Sequence, residues 1–144
     1  MTTAPIVEIT RVEEFSASHR LHDSRLSDAE NERVYGICNN AHGHGHNYEL
    51  SVTVRGSVPA SGMVMNLSDL MQILREKIVL EVDHRHLNED VPWLQGLVTT
   101  AENIAVAFWN RIAPEIERFD GARLHRIRLA ESRSNYVDYY GPEA

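Results

Sequence analysis

The amino-acid sequence predicts an α+β fold in which four antiparallel strands form one sheet and two helices cover one of its faces, in the chain order ββααββ. Two observations support this fold class. Near both ends of the chain, apolar and polar residues alternate in pairs of segments, which is typical of half-buried strands. Between these pairs, two segments repeat apolar residues at spacings of three and four, which is typical of amphipathic helices. The length of 144 residues fits one domain, and we expect residues 1–144 to form it.

The first two strands are expected to be antiparallel neighbours joined around a histidine-rich segment. The first begins at Ile6 and continues to His19, whose side chain shares one face with Phe15 and Ala17. The second ends near Gly56, where turn residues follow. Its apolar face is formed by Tyr48, Leu50, Val52 and Val54.

The last two strands are expected to form a closing hairpin. One face of the third strand carries His125, Ile127, Leu129 and Glu131, residues 132–135 turn, and Tyr136 to Tyr140 run back. A four-stranded sheet of this kind has two open edges. Because open edges favour pairing with another chain, we expect a homo-oligomer that continues the sheet.

The two helices have recognisable start signals. Asn66 or Ser68 can cap the first helix, and Thr99 with Glu102 has the spacing of a capping box for the second, which Pro114 is expected to kink or end. The apolar positions of the first helix are Leu67, Leu70, Met71, Leu74, Ile78 and Val82; those of the second are Ile104, Phe108, Ile112 and Ile116. Residues 20–35 lack a strong period, so a loop with at most a short helical turn is expected there.

Composition and charge exclude two classes of partner. Fourteen basic and 21 acidic residues give a formal charge of -7, which repels a phosphate backbone, so no nucleic-acid partner is expected. No apolar run approaches the roughly 20 residues that span a bilayer, so no membrane association is expected. The single cysteine and an N-terminus without the pattern of a signal peptide favour the cytoplasm.

The segment from Cys38 to Tyr48 predicts a metal site. It holds the only cysteine and His42, His44 and His46, which alternate with glycines. An extended backbone would place all three imidazoles on one face, the face that carries the apolar residues of the following strand. Buried imidazoles without partners are costly, and a metal ion supplies a partner. Three protein nitrogens with one open position are typical of catalytic zinc; the alternative is a flexible surface loop.

Other polar residues have both a chemical and a purely structural interpretation. Cys38 can be a fourth ligand, a buried small hydrophobe, or a nucleophile or base. Asp83 beside His84 can orient an imidazole that favours the thiolate of a nearby cysteine, although such pairs are also common in solvated loops. Glu131 lies on the apolar face of its strand, so it needs a partner or a ligand unless it reaches solvent at the turn.

Taken together, these residues resemble the 6-pyruvoyl-tetrahydropterin synthase family over nearly the whole chain. The similar motifs are, in chain order, Phe15–His19, Cys38–Tyr48, Gly62–Leu67, Asp83–Leu87, Thr100–Asn103 and Glu131. The family also contains the 6-carboxy-tetrahydropterin synthases of queuosine biosynthesis. The resemblance implies the tunnelling fold, in which trimers form around a barrel and two trimers stack. A homohexamer with active sites between subunits is therefore expected.

The resemblance also implies residue roles at a zinc site. His19, His44 and His46 would bind Zn²⁺, and Cys38 would be the base that abstracts a proton. His42 would then have no ligand role, because Asn47 and Tyr48 follow the second ligand in the family.

Further roles concern the substrate and the base. Asp83 and His84 would tune Cys38, while Glu131 would hold the pterin ring. Thr100 and Glu102 fall in a motif that the family uses for substrate binding. Two arginines in the loop before the histidine run, Arg20 and Arg25, are candidates for contact with phosphate.

Three functions follow from the resemblance. The first is a lyase that converts 7,8-dihydroneopterin triphosphate to 6-pyruvoyl-tetrahydropterin with loss of triphosphate. The second is the carboxy-forming synthase, which also releases acetaldehyde, and the third is an inactive homologue that binds pterin or metal. Five residues between Cys38 and His44 match the pyruvoyl branch, whereas ligands at His42 and His44 would leave three, as in the queuosine enzymes. Ala101, where animal enzymes carry threonine, resembles the carboxy branch.

Overall fold

The computed structural model describes residues 4–142 and contains one mixed sheet with two long helices packed on one face. The expected α+β architecture is confirmed. The strands lie in the order β3-β1-β2-β4-β5, and all pair antiparallel except β3, which lies parallel to β1. Their bounds are β1 Ile6–His19, β2 His44–Ser57, β3 Arg85–His86, β4 Arg123–Ala130 and β5 Tyr136–Tyr139.

Within the described part of the chain the sheet has five strands, where the sequence predicted four. The extra strand, β3, pairs only with Ala17 and Ser18 of β1. It has two residues and lies within a polar segment, so it carries no alternation of apolar residues that would indicate a strand. Its position is fixed by the hydrogen bonds that the end of β1 offers to it.

Residues 4–142 contain three α-helices of two turns or more, where two helices were predicted. The additional helix, α1 (Asp28–Tyr35), occupies the segment expected to be a loop. Ser27 caps it by accepting a hydrogen bond from the Glu30 amide, and the Ser27 hydroxyl donates to the Glu30 carboxylate. The Ser-x-x-Glu spacing is that of a capping box and could have indicated the helix, although here the Glu30 carboxylate accepts from the Ser27 hydroxyl and not from the Ser27 amide. A 3₁₀ turn, Gly36–Asn39, follows α1 directly.

Helix α2 (residues 67–82) covers β1 and contains one wide turn. It begins as an α-helix at Leu67–Leu74, continues as a π-helical turn at Arg75–Val79 and ends as an α-turn at Leu80–Val82. Its fully buried side chains recur every four residues at Leu70, Leu74, Ile78 and Val82. In an α-helix, a four-residue spacing drifts by about 40° per step, and a π turn reduces that drift. The wide turn therefore keeps all four residues on the core.

Helix α3 (Ala101–Ile116) begins one residue later than the predicted capping box required. Thr100 is the cap and accepts a hydrogen bond from the Asn103 amide, so the assignment of Thr99 and Glu102 was wrong. The Thr99 hydroxyl is buried and donates to the Arg20 carbonyl and the Asn88 side chain instead. Pro114 lies inside the last turn, and the helix ends two residues later.

The hydrophobic core lies between helices α2 and α3 and one face of the sheet. The sheet contributes the apolar face predicted for β2, together with Phe15, Ala17, Ile127 and Leu129. Phe15 stacks on Tyr48 with ring centroids 4.8 Å apart. Among residues 4–142, the structure has no helix long and apolar enough to cross a membrane. The apolar face of β1 and β2 ends in histidines, and these form the site described below.

The cap of α2 gives a stability prediction with a matched control. The Asn66 side chain accepts a hydrogen bond from the Ser68 amide, so Asn66→Ala should lower the free energy of unfolding by about 1 kcal/mol. Ser68→Ala, in the exposed first turn, should change it by less than about 0.5 kcal/mol. Denaturant unfolding of both variants measures the difference, and equal losses would contradict the assignment of the cap.

Candidate metal centre

The pairing of β1 with β2 brings three histidines together at one end of the sheet. His19 is the last residue of β1 and lies directly opposite His44, the first residue of β2. His46 lies opposite Ala17, and in an extended strand it shares the face of His44. The side chains therefore converge where the apolar face ends, which agrees with the parity seen in the sequence.

The geometry of the three imidazoles is that of a metal-binding set. The ligand nitrogens of His19, His44 and His46 all lie within 4.8 Å of one another. The ring centroids are 4.6 to 5.1 Å apart, and the rings meet edge to face. His42 is exposed and is not part of this set.

His19 is held in one orientation by the backbone before α3. Its Nδ1 lies 2.7 Å from the carbonyl oxygen of Thr99, and because a carbonyl only accepts, Nδ1 carries the hydrogen. The other nitrogen, Nε2, then presents a lone pair to the cluster. Burial lowers the pKa of His19 to about 4, with smaller contributions from His44 and His46. The ring is therefore neutral near pH 7, which is the form that binds metals.

The donor set fits a metal ion because two buried nitrogens lack partners. The Nε2 atoms of His19 and His46 are inaccessible to solvent and make no hydrogen bond within the described residues. Burial, followed by the neighbouring His46, also lowers the pKa of His44. A cation with affinity for imidazole, such as Zn²⁺, would satisfy all three rings at once. The cluster can therefore bind a metal.

A carboxylate lies against the same cluster. Glu131 follows β4, and its Oε2 lies 3.0 Å from His46 Nε2 and 3.5 Å from His19 Nε2. Burial and the Glu131 charge together raise the pKa of Tyr48, whose hydroxyl lies 3.5 Å from His19 Nδ1. Glu131 is 26% exposed, so one side of its side chain reaches solvent.

Gly43 gives the histidine segment room to approach β1. It has a φ of +75°, a conformation that favours glycine, and a Cβ atom at this position would lie 2.9 Å from the carbonyl oxygen of His19. The same atom would lie 3.2 Å from Nε2 of His86. Any larger residue would therefore push His44 away from His19.

Cys38 lies on a segment that is hydrogen-bonded to the residues just after His19. Its carbonyl accepts a hydrogen bond from the Leu21 amide, while the Asn39 side chain donates to the Leu21 carbonyl. Arg20 donates from Nε to the Asn39 carbonyl, so the first candidate for phosphate contact has a structural partner. The thiol makes no hydrogen bond to another predicted site residue within the described chain.

The predicted pair of Asp83 and His84 lies at the outer edge of β1, joined by a 2.9 Å contact. The Ser16 amide donates to Asp83, and this bond, followed by the contact with His84, lowers the pKa of the carboxyl. His84 is strongly exposed and has a φ of +60°, a strained backbone for a residue with a Cβ. His84 and His46 line the same cavity of about 550 Å³.

The remaining candidates divide between structural contacts and exposed positions. Thr100 caps α3 and Glu102 is exposed in its first turn. Arg25 is exposed and makes a two-point contact with Asp23. Sequence reasoning missed Thr99, whose carbonyl orients His19, because a backbone contact leaves no signal in residue type.

His86 was also missed. Its Nδ1 is buried without a hydrogen-bond partner, and its ring lies beside Gly43. It belongs to a two-residue strand that the sequence did not indicate.

Fold and site together define a class: an α+β protein whose sheet ends in a three-imidazole metal-binding set with a carboxylate beside it. A family model described as 6-pyruvoyl tetrahydropterin synthase matches residues 8–142. The chain belongs to this family, whose members are lyase-type enzymes, and the resemblance seen in the sequence is thereby confirmed.

Known proteins of the family are similar over most of their length. The 6-pyruvoyl tetrahydrobiopterin synthase of Poecilia reticulata is 49% identical over 134 residues, which are 92% of this chain and 89% of that protein. The solved 6-pyruvoyl tetrahydropterin synthase of Caenorhabditis elegans superimposes with a TM-score of 0.90 at 39% identity, covering 98% of this chain and 99% of that one. A 6-carboxy-5,6,7,8-tetrahydropterin synthase of Haemophilus influenzae is 30% identical over 72% of this chain and 84% of its own length.

The close approach at Gly43 predicts the effect of a single methyl group. Gly43→Ala should weaken Zn²⁺ binding by at least about 10-fold, because the new Cβ forces the His44 strand away from His19. Gly96→Ala is the matched control, since Gly96 also has a positive φ, of +82°, but nothing within 4 Å of an added Cβ. Competition with a chelator measures both affinities. An equal loss in the two variants would mean that backbone strain alone is responsible.

Proposed function

We propose that this protein converts 7,8-dihydroneopterin triphosphate to 6-pyruvoyl-tetrahydropterin and releases triphosphate, with Zn²⁺ as its cofactor. One observation carries the proposal: three converging, partly or fully buried imidazoles with unpartnered nitrogens, in a chain of the 6-pyruvoyl tetrahydropterin synthase family. The relative with 49% identity is named for the pyruvoyl product, which favours that product over the carboxy alternative.

The proposed metal ligands are His19, His44 and His46, with the Thr99 carbonyl orienting the first of them. A Zn²⁺ ion bound there would supply Lewis-acid polarisation, which makes C–H bonds beside coordinated hydroxyls more acidic. Tyr48 is fully buried, and its ring lies 5.4 Å from that of His46 and 6.1 Å from that of His19, so it covers the buried side of the cluster. Binding of the substrate then takes place on the accessible side, where His46 and Glu131 are partly exposed.

Cys38 is the proposed base. Its thiolate would take a proton from the substrate side chain, triphosphate would leave, and internal proton shifts would give the pyruvoyl group. A positioned base of this kind contributes about 10² to 10⁴ to the rate. Asp83 and His84 are proposed to assist it: Asp83 holds His84 by a 2.9 Å contact, and the strained backbone at His84 is a feature that clusters at functional sites.

Glu131 is proposed to hold the pterin ring, with Thr100 and Glu102 contributing to the same pocket. A carboxylate accepts two parallel hydrogen bonds from the 2-amino group and the adjacent ring N–H. Two observations support this role: Glu131 is partly exposed, and it lies beside His46. A pterin whose ring edge is bound to Glu131 would therefore have its side-chain hydroxyls close to the proposed metal ligands.

A homohexamer with active sites between subunits is part of the proposal. On its outer side β1 pairs with β3 only at Ala17 and Ser18, so most of its 14 residues form an open edge. Exposed Ile6, Val7 and Val12 lie along that strand. Open edges with apolar residues favour pairing with another chain, which supports a sheet continued by a neighbouring subunit. Cys38 and the Asp83–His84 pair would then meet across such a contact.

The substrate assay and one variant test the mechanism. The protein incubated with dihydroneopterin triphosphate should yield a product with the mass of 6-pyruvoyl-tetrahydropterin. Cys38→Ala should lower turnover by at least about 10²-fold and leave bound zinc unchanged. Ala41→Ser, on the same segment, is the control and should retain activity. A product of carboxypterin mass would establish the alternative function, and full activity of Cys38→Ala would remove the thiol from the mechanism.

The same variant tests the assembly. Cys38→Ala and His84→Ala are each expected to be inactive, but refolding them together should restore about a quarter of the wild-type activity, because mixed subunits recreate intact sites. The mass of the refolded mixture is measured as a control and should be about six times the chain mass of 16.4 kDa. If a mixture of that mass recovers no activity, both residues act within one subunit.

A further inference from the structure

The Glu131 carboxylate lies in contact with two of the three imidazoles. Its Oε2 lies 3.0 Å from Nε2 of His46 and 3.5 Å from Nε2 of His19. Neither nitrogen makes a hydrogen bond, to this oxygen or to any other atom of the described chain. The carboxylate oxygen and the two ring nitrogens therefore lie close together without forming a hydrogen bond.

The tautomer of His19 makes this arrangement unfavourable unless a cation lies among the three atoms. Nδ1 donates to the Thr99 carbonyl, so Nε2 of the neutral ring has only a lone pair. The carboxylate oxygen also has only lone pairs. Two acceptors at 3.5 Å repel each other, whereas a cation between them is attracted to both.

The distances are those of neighbouring ligands around one ion. Zinc–nitrogen and zinc–oxygen bonds of roughly 2.0–2.2 Å at tetrahedral angles place adjacent ligand atoms about 3.3–3.6 Å apart. The 3.5 Å separation from His19 falls in this range and the 3.0 Å separation from His46 lies just below it. The three ring nitrogens lie within 4.8 Å of one another, a wider spacing, so they would move closer together around an ion.

We propose that Glu131 is a displaceable fourth ligand of the metal in the substrate-free enzyme. The inference rests on the proposed function and extends it, because the same carboxylate then serves two partners in turn. Without substrate, Glu131 occupies the fourth position and keeps water from it. When the pterin enters, its hydroxyl oxygens take that position and the carboxylate turns to the ring N–H groups. Glu131 is 26% exposed, so the protein does not enclose its side chain completely.

Two substitutions to glutamine distinguish a role of Glu131 as a metal ligand from a general effect of its negative charge. Glu131→Gln keeps the shape of the side chain and removes its anionic oxygen. Glu49→Gln removes the same charge one strand away, where Glu49 pairs with Ala130 and is exposed on the opposite face of the sheet. Metal-free proteins are titrated with Co²⁺, which replaces Zn²⁺ and reports its ligands by visible absorption, in competition with a chelator.

The proposal predicts that Glu131→Gln binds Co²⁺ at least about 10-fold more weakly than wild type and with an altered visible spectrum, whereas Glu49→Gln matches wild type in both. Adding 7,8-dihydroneopterin, which has the hydroxyls but no phosphate, should change the wild-type spectrum as the carboxylate leaves. Unchanged Co²⁺ affinity and spectrum in Glu131→Gln, with weaker pterin binding, would overturn the proposal and leave only the anchor.

A second variant keeps the proposal testable if the first one does not fold. If circular dichroism shows Glu131→Gln to be unfolded, Glu131→Asp keeps the charge but retracts it by one methylene, and its Co²⁺ affinity should fall below that of wild type. Equal affinity would overturn the proposal. The metal titration contains no triphosphate substrate, so its result is independent of turnover. A failed titration with normal turnover would contradict only the role of Glu131 as a ligand, whereas a failed product assay with a successful titration would contradict only the proposed function.

Discussion

The antiparallel register of β1 against β2 is the constraint on which the rest of the site depends. Pairing His19 with His44 and Ala17 with His46 puts three imidazoles at the end of the apolar face. Side chains alternate along a strand, so a shift of one residue would send His44 and His46 to the opposite face while His19 stayed inside. The same shift would expose the apolar side chains of β2. The hydrophobic core therefore maintains the geometry of the metal-binding set.

Burial by that core also means that the unpaired nitrogens of the site destabilise the folded protein when no ligand is bound. His19 is 1% exposed, and Tyr48 below it is fully buried. The Thr99 carbonyl satisfies one nitrogen of His19, but the other nitrogen and that of His46 have no hydrogen-bond partner in the described chain. An unpaired buried polar atom costs about 1–3 kcal/mol. A bound ion removes this cost, which connects the stability of this end of the sheet with its proposed chemistry.

The part of the site that follows from alternation could be predicted from the sequence. The shared face of Phe15, Ala17 and His19, and that of His44, His46 and Tyr48, are direct consequences of the strand period. With the resemblance to the family, this indicated both the fold and the three imidazoles. The parts that depend on backbone contacts could not be predicted. Thr99 looked like a cap by its spacing from Glu102, yet its buried hydroxyl and carbonyl hold other segments.

Short elements gave similarly weak signals. Strand β3 has two residues and exists because the end of β1 offers it hydrogen bonds, so its own composition is uninformative. Helix α1 is different, because Ser27 and Glu30 have the spacing of a capping box, which indicates a helix start even in a segment without an apolar period. The place of Cys38 relative to His84 is not a property of local sequence at all, since it depends on how separate segments, and in the proposed assembly separate subunits, approach one another.

Anomalous diffraction at the zinc absorption edge, from crystals of the purified protein, tests the central claim most directly. The account predicts one anomalous peak per chain, with nitrogens of His19, His44 and His46 at about 2.0–2.1 Å from it. A peak bound through His42 or the Cys38 sulfur in place of these nitrogens, or zinc-loaded crystals without a peak at this end of the sheet, would contradict it.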